Sequence, residues 1–367
     1  MSNKNSFGVE FLKFFILETE NNIYEPSRFP GRRKNSFLKK VIYGFLNKLE
    51  KITKKVKLFL LPINGNFVRS LKNGDFNKFE YLYSRLNDSE SKEKYIKCLG
   101  FKLLGRNLVN LEMADNYYQQ AKSIEKCVVN KDTSKNKFVQ ELLDLSSVGY
   151  KDLRLWNSYF GVYIAFVKEQ YAYKDRCGVE NGDVVIDAGG CYGDTALYFA
   201  SKAGECGKVY VYEFVPSSIE IMQENMSLNP HLKERIQLIS HPVSDSSDVE
   251  IYFTDAGPST KIYSEKKEGS SSVKTLSIDD MVSRGNIEKI DFLKMDIEGA
   301  ELSALKGAAE TIKRFKPKLA ICVYHKLEDF YEIPMFIDSL GVEYDMFFDY
   351  YTPVGWEMVL YCTPKSR

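Results

Sequence analysis

From Gly182 onward the chain alternates short apolar runs with stretches of helical period. The apolar runs lie near 184–188, 208–213, 236–241, 291–296, 318–324, 343–349 and 356–362. Helical patterns follow near 194–203, 216–228, 278–284, 299–315 and 328–340. Near-continuous apolar runs belong to strands covered on both faces, so this alternation predicts a parallel sheet between helical layers. At the end the rhythm changes to strand, turn, strand: Tyr344–Tyr350, a Thr352-Pro-Val-Gly turn, then Trp356–Cys362. That hairpin predicts an antiparallel last strand. Segment 245–277 reads as an excursion in which Val249–Phe253 pairs with Val273–Leu276, with Gly269-Ser-Ser-Ser as a mobile linker between them.

The first half is patterned differently. Residues 1–35 are a polar lead-in with Pro26, Pro30 and a basic cluster at Arg32. Leu38, Ile42, Phe45, Leu49, Ile52, Val56 and Phe59 then hold a 3.5-residue period, which predicts a helix with one apolar seam. Its other faces carry Lys39, Lys40, Lys48, Lys51, Lys54, Lys55 and Lys57, and Pro62 and Gly65 end it. Residues 75–145 read as helical, with Phe79, Leu82, Tyr83 and Leu86 on one face and a polar loop at 131–137. The predicted class is α/β: a Rossmann-like seven-stranded sheet, last strand antiparallel, behind a mainly helical N-terminal domain. The expected divisions are 1–35, 36–150 and 151–367.

Charge sharpens this division. The 367 residues carry a net charge of only +1, but residues 1–150 sum to +11 and 151–367 to −10. The basic amphipathic helix suits assembly into a homodimer or docking on an anionic glycan or membrane surface. Its few interleaved aromatics argue against nucleic acid. Seven scattered cysteines without a Cys-x-x-Cys pair argue against a disulfide framework and a zinc site. No run reaches the roughly 18–20 apolar residues of a membrane span. A cytoplasmic protein, peripheral at most to the inner membrane face, is the expectation.

Two of the strands end in chemistry. Val184-Val-Ile-Asp-Ala-Gly-Gly-Cys-Tyr-Gly puts Asp187, Gly189 and Gly193 at a strand-to-helix turn, and Glu213 ends the next strand. Such a turn lets backbone approach a ligand closely, and an acid at that distance accepts from ribose hydroxyls. A nicotinamide-dependent oxidoreductase would use the same acid. Its Gly-x-Gly-x-x-Gly fingerprint fails here, because Cys191 and Asp194 occupy the second and third glycine positions. The second stretch, Lys294-Met-Asp-Ile-Glu-Gly-Ala-Glu301, delivers Asp296, Glu298 and Glu301 to the same sheet edge. Glu298 and Glu301 also suit a helix cap. His325 ends the following apolar run. Histidine is the side chain best matched to accept a hydroxyl proton near neutral pH, although a helix-start histidine is the plainer reading. Aromatics from Trp156 to Tyr173 suit packing on the sheet, with some available to wall a site.

These motifs, spanning about 170–362, resemble the FkbM family of S-adenosylmethionine-dependent O-methyltransferases. Cys191 departs from the asparagine common in that family. The resemblance implies S-adenosylmethionine held by Asp187, Gly189, Gly193 and Glu213. It implies methyl transfer to a hydroxyl, commonly of a sugar in a bacterial surface polysaccharide or a secondary metabolite, with His325, Asp296 and Glu298 as catalytic residues. Glu328 or Asp329 could orient the imidazole, and Trp356 and Glu357 could touch acceptor or equally serve hairpin packing. Magnesium at this strand end occurs in related families, so a divalent cation stays open. A binding scaffold that retains a cofactor domain is the competing class.

Overall fold

The computed structural model describes residues 76–365 except 105–108, 112–113, 137, 258–259 and 286. The lead-in 1–35 and the basic seam over 36–61 lie outside the described residues, and so do the homodimer and surface-docking expectations that rest on them.

Three helices come first: α1 (Phe76–Arg85), α2 (Ser89–Leu104) and α3 (Ala114–Lys122). Three short strands follow, β1 (Val128–Lys131), β2 (Glu141–Asp144) and β3 (Arg154–Asn157), forming an antiparallel sheet in that order. The helical reading of 75–145 is therefore corrected at its end. Each of these strands is only four residues long, and β3 is held from outside. Asn225 takes the Trp156 N–H at 2.6 Å and donates to the Trp156 carbonyl at 3.0 Å.

The main sheet contains β4 (Val184–Ala188), β5 (Lys208–Tyr212), β6 (Ile236–Ile239), β10 (Phe292–Met295), β11 (Lys318–Cys322), β12 (Tyr344–Tyr350) and β13 (Met358–Pro364). Its order is β12-β13-β11-β10-β4-β5-β6, and β13 alone runs against both of its neighbours. Successive strand residues feed opposite cores. Ile186, Leu293 and Leu319 pack in one cluster, while Val185, Phe292 and Ala320 pack in the other. The period of two explains why uninterrupted apolar runs were needed. The connecting helices are α4 (Asp194–Ala203), α5 (Pro216–Leu228), α6 (Ile278–Arg284), α7 (Glu301–Lys306), α8 (Ala309–Phe315) and α9 (Asp329–Ser339). The single helix expected over 299–315 is two. At the break, Gly307 passes so close to the 244–245 backbone that a Cβ would stand 2.2 Å from the Ser244 carbonyl.

The excursion forms its own antiparallel sheet, β8 (Lys261–Tyr263), β7 (Glu250–Thr254) and β9 (Ser271–Lys274), in that order. Glu250 to Phe253 pairs with Ser271 to Lys274. The serine run read as a mobile linker is therefore partly strand.

Helices α1 and α2 share the sheet's core: Phe79, Leu82, Tyr95 and Leu99 are buried with Phe330 and Phe348. They also cover the exposed edge of β12. Asn87 donates its N–H to the Met346 carbonyl at 2.9 Å and accepts the Met346 N–H at 2.7 Å. Ser91 Oγ accepts the Phe348 N–H at 3.0 Å. An uncovered edge strand invites pairing with another chain, and these contacts remove it.

Candidate functional site

Strands β4, β5, β10 and β11 present their C-terminal ends to one crevice. A cavity of about 330 Å³ opens there, and Gly189, Glu213, His241, Asp296, Tyr324 and Glu357 are among its walls. Ligands of open α/β sheets bind at this edge.

On one side the β4 turn is fixed by backbone contact. Gly189 has φ +87°, and a Cβ there would lie 2.0 Å from the Asp296 carbonyl. Gly193, at φ +81°, starts α4 against Met222, whose Cγ would be 2.8 Å from a Cβ. Gly189 therefore lines the cavity, whereas Gly193 serves helix packing. Asp187 is fully buried behind the turn. It accepts from Thr195 Oγ1 at 2.6 Å and from the Lys294 ammonium at 2.9 Å. Burial acts to lower the Lys294 pKa, but Asp187 and then Asp296 outweigh it and hold the ammonium above its ordinary value. Lys294 also donates to the Gly189 carbonyl at 2.6 Å. The pair thus braces the turn from beneath.

Glu213 faces the cavity from the end of β5. Its carboxylate accepts three backbone N–H groups, from Cys191 at 2.9 Å, Phe214 at 2.7 Å and Val215 at 2.8 Å. Burial raises its pKa while these donors pull it down. Cys191 reaches Glu213 by adopting φ +42°. Asparagine is among the residues that best tolerate that left-handed region, which accounts for its use there in the family that the motif resembles. Phe214, Val215, Pro242 and Val243 add an apolar wall. An accepting carboxylate beside apolar walls is suited to ribose hydroxyls and a heterocyclic base. His241 borders the cavity, with Nδ1 2.8 Å from the Lys274 carbonyl.

On the other side Asp296 follows β10. It accepts the Tyr171 hydroxyl at 2.9 Å and the Tyr324 hydroxyl at 3.1 Å. His325 Nε2 lies 3.6 Å from both Asp296 Oδ1 and Glu298 Oε2. Its Nδ1 is 3.0 Å from the fully buried Glu301, an ion contact without the alignment of a hydrogen bond. Burial opposes the imidazolium charge, but Glu301, Asp296 and Glu298 together push its pKa up to about 9. Glu298 is exposed and strained at φ +56°. Glu301 caps the Ile297 N–H at 2.9 Å, so the capping expectation and a contact to His325 hold together. Asp329 does not orient the ring; it accepts the Lys326 N–H at 2.7 Å.

The structure thus brings His325, Asp296 and Glu298 together, and Gly189, Glu213, Asp296 and Glu298 line the same cavity. Sequence reasoning gave no role to Lys294, Tyr324 or Gln170. Tyr171 lay within an aromatic run read chiefly as packing, and Tyr324 immediately precedes His325, the one signal available. For a cation, the ligand atoms of Asp296, Glu301 and His325 lie within 4.8 Å of one another. The His325–Glu301 ion contact already uses that arrangement. Among the described residues no helix is long and apolar enough to cross a membrane.

Comparison with known proteins agrees with this geometry. Residues 178–344 match the methyltransferase FkbM domain. The chain is 28% identical over 134 residues to the hexuronic acid methyltransferase AglP of Haloferax volcanii, a match covering 36% of this chain and 53% of that protein. A crystal structure of methyltransferase FkbM from Methylobacillus flagellatus KT superposes with a TM-score of 0.50 at 19% identity, covering 80% of this chain and 60% of the other. The match thus spans about half the length of the curated relative. No finding favours the nicotinamide alternative.

Proposed function

We propose that this chain, whose residues 178–344 match the methyltransferase FkbM domain, is an S-adenosylmethionine-dependent methyltransferase that methylates a hydroxyl oxygen of a sugar, with a hexuronic acid as the first candidate. One observation carries the reading. Glu213, Asp296 and Glu298 line one cavity, and His325 Nε2 lies 3.6 Å from both of the latter carboxylates. On this reading a nucleoside-binding acid and a proton-accepting group serve the same space.

Glu213 would hold the ribose hydroxyls, and Phe214, Val215, Pro242 and Val243 would flank the base. When bound, the cofactor supplies a methyl group already activated on a sulfonium sulfur. The protein's task is then alignment and removal of a proton. Asp296, itself fixed by Tyr171 and Tyr324, orients the acceptor hydroxyl. The hydroxyl proton passes to His325 Nε2 as oxygen attacks, and Glu301, Asp296 and Glu298 stabilise the resulting imidazolium. The sulfonium charge of bound cofactor would oppose that charge and favour the neutral ring before reaction. Glu298, exposed at the mouth, contacts the acceptor. This chemistry requires no divalent cation, so exhaustive chelation should leave turnover unchanged. Loss of turnover that magnesium restores would instead assign a divalent cation to the His325 cluster.

The test is transfer of a labelled methyl group from S-adenosylmethionine to a glucuronic or galacturonic acid glycoside, with the product mapped by mass spectrometry and NMR. An O-methyl ether or a methyl ester distinguishes a hydroxyl from a carboxylate acceptor. Label on carboxylate alone contradicts the hydroxyl reading.

A further inference from the structure

The last hairpin brings a second carboxyl to the reacting edge. Because β13 is inserted in reverse beside β11, its start lies at the C-terminal end of the parallel strands: the Val323 N–H donates to the Met358 carbonyl at 3.0 Å. The residue before Met358 is Glu357. It adopts φ +54°, an unfavourable region for a residue with a side chain. The turn enforces this conformation. Thr352 Oγ1 accepts the Trp356 N–H at 3.1 Å and donates to the Trp356 carbonyl at 2.8 Å, and the Glu357 carbonyl accepts the Tyr351 N–H at 3.0 Å.

The result is a carboxyl on the cavity wall. Ligand atoms of Glu357, Asp296 and Cys322 lie within 4.8 Å of one another. Among the described residues the Glu357 carboxyl receives one hydrogen bond, from Gln170 Nε2 at 3.2 Å. Gln170 is 5% exposed, and its Oε1 has no hydrogen-bond partner among the described residues, so an enclosed polar atom stands unused beside the pair. The other groups acting on Glu357 are His325 and Lys294, and both are committed elsewhere, to Glu301 and to Asp187. Tyr171 and Tyr324 spend their hydroxyls on Asp296. Burial and then the neighbouring Asp296 carboxylate push the Glu357 carboxyl well above the usual range. Two carboxyls this close cannot both ionise readily.

We propose that Glu357, held by Gln170, is an acceptor-binding residue whose carboxyl hydrogen-bonds a polar group of the sugar beside the hydroxyl oriented by Asp296. The division of labour is specific. Asp296 orients the reacting hydroxyl. Glu357 hydrogen-bonds a neighbouring polar group of the sugar and fixes which hydroxyl reacts. This inference rests on the sugar reading given above.

The test compares wild type, Glu357→Gln and Glu357→Ala with methyl glucuronoside and methyl galacturonoside as acceptor probes and S-adenosylhomocysteine as the cofactor-site probe. Glutamine keeps a donor and an acceptor, so its acceptor KM should stay within about threefold of wild type. Alanine should raise acceptor KM by about tenfold or more and relax the position methylated. S-adenosylhomocysteine affinity should be unchanged in both variants. An unchanged KM and product position in Glu357→Ala overturns the proposal, as does a loss of cofactor affinity that parallels the loss of acceptor. A kcat collapse in Glu357→Gln with KM intact also overturns it, since that marks a charged base. Failure of wild type to methylate either probe while it binds S-adenosylhomocysteine refutes the sugar reading instead.

Discussion

Lys294 and Asp187 are register partners on adjacent parallel strands, and their buried side chains meet at 2.9 Å directly beneath the Gly189 turn. Removing one member strands the other charge in the core. Lys294→Met should therefore destabilise the protein by about 3–5 kcal/mol. Adding Asp187→Asn removes the stranded charge and should recover part of the loss. Denaturant unfolding of the two variants checks this. Equal stability of Lys294→Met and wild type would show that the pair does not brace the turn.

His325 makes activity and stability depend on pH in opposite senses. Its pKa rises from an ordinary 6.5 to about 9, so the neutral form that accepts a proton becomes more abundant as pH increases. kcat/KM reports the free enzyme and should climb with pH toward about 9. His325→Gln should lower turnover by about 10²–10⁴-fold and abolish that climb. The stabilisation from the charged ring is fully present below its unfolded pKa of 6.5 and is lost as pH rises through about 9. Melting curves should thus show the wild-type advantage over His325→Gln shrinking across that window. Parallel curves for the two proteins would mean that the ring is not held charged.

Ser91 seals the sheet edge. It is fully buried and accepts the Phe348 N–H. Ser91→Ala leaves that donor unpaired and should cost about 1–3 kcal/mol. Ser84→Ala, on the exposed side of α1, should stay within about 0.5 kcal/mol of wild type. If thermal unfolding ranks the two variants equally, the edge is not sealed through Ser91.

The parallel strands were legible because each buries both faces, which forces apolar runs such as Val184 to Ile186 and Leu319 to Cys322. Strands β1 and β2 were not legible. Each is only four residues long and half polar, too short to show a period, and β3 beyond them is anchored through Asn225, some seventy residues away. Asp296, Glu298 and Glu301 were readable as a motif. The meeting of Glu301 with His325 was not, because α7 and the end of β11 converge only in the folded chain. Lys294 is the clearest case. Within its own strand a lysine suggests an exposed face, and only the neighbouring Asp187 explains its burial.

The central claim is that the cavity between Gly189 and Glu213 takes the methyl donor. Calorimetric titration with S-adenosylhomocysteine tests it most directly. Wild type should bind in the micromolar range, S-adenosylmethionine should compete, and NAD should not. Glu213→Ala should weaken binding by about 1–3 kcal/mol, since the ribose hydroxyls lose a charged acceptor. Unchanged affinity in Glu213→Ala, or NAD binding as tight as that of S-adenosylhomocysteine, would contradict the account.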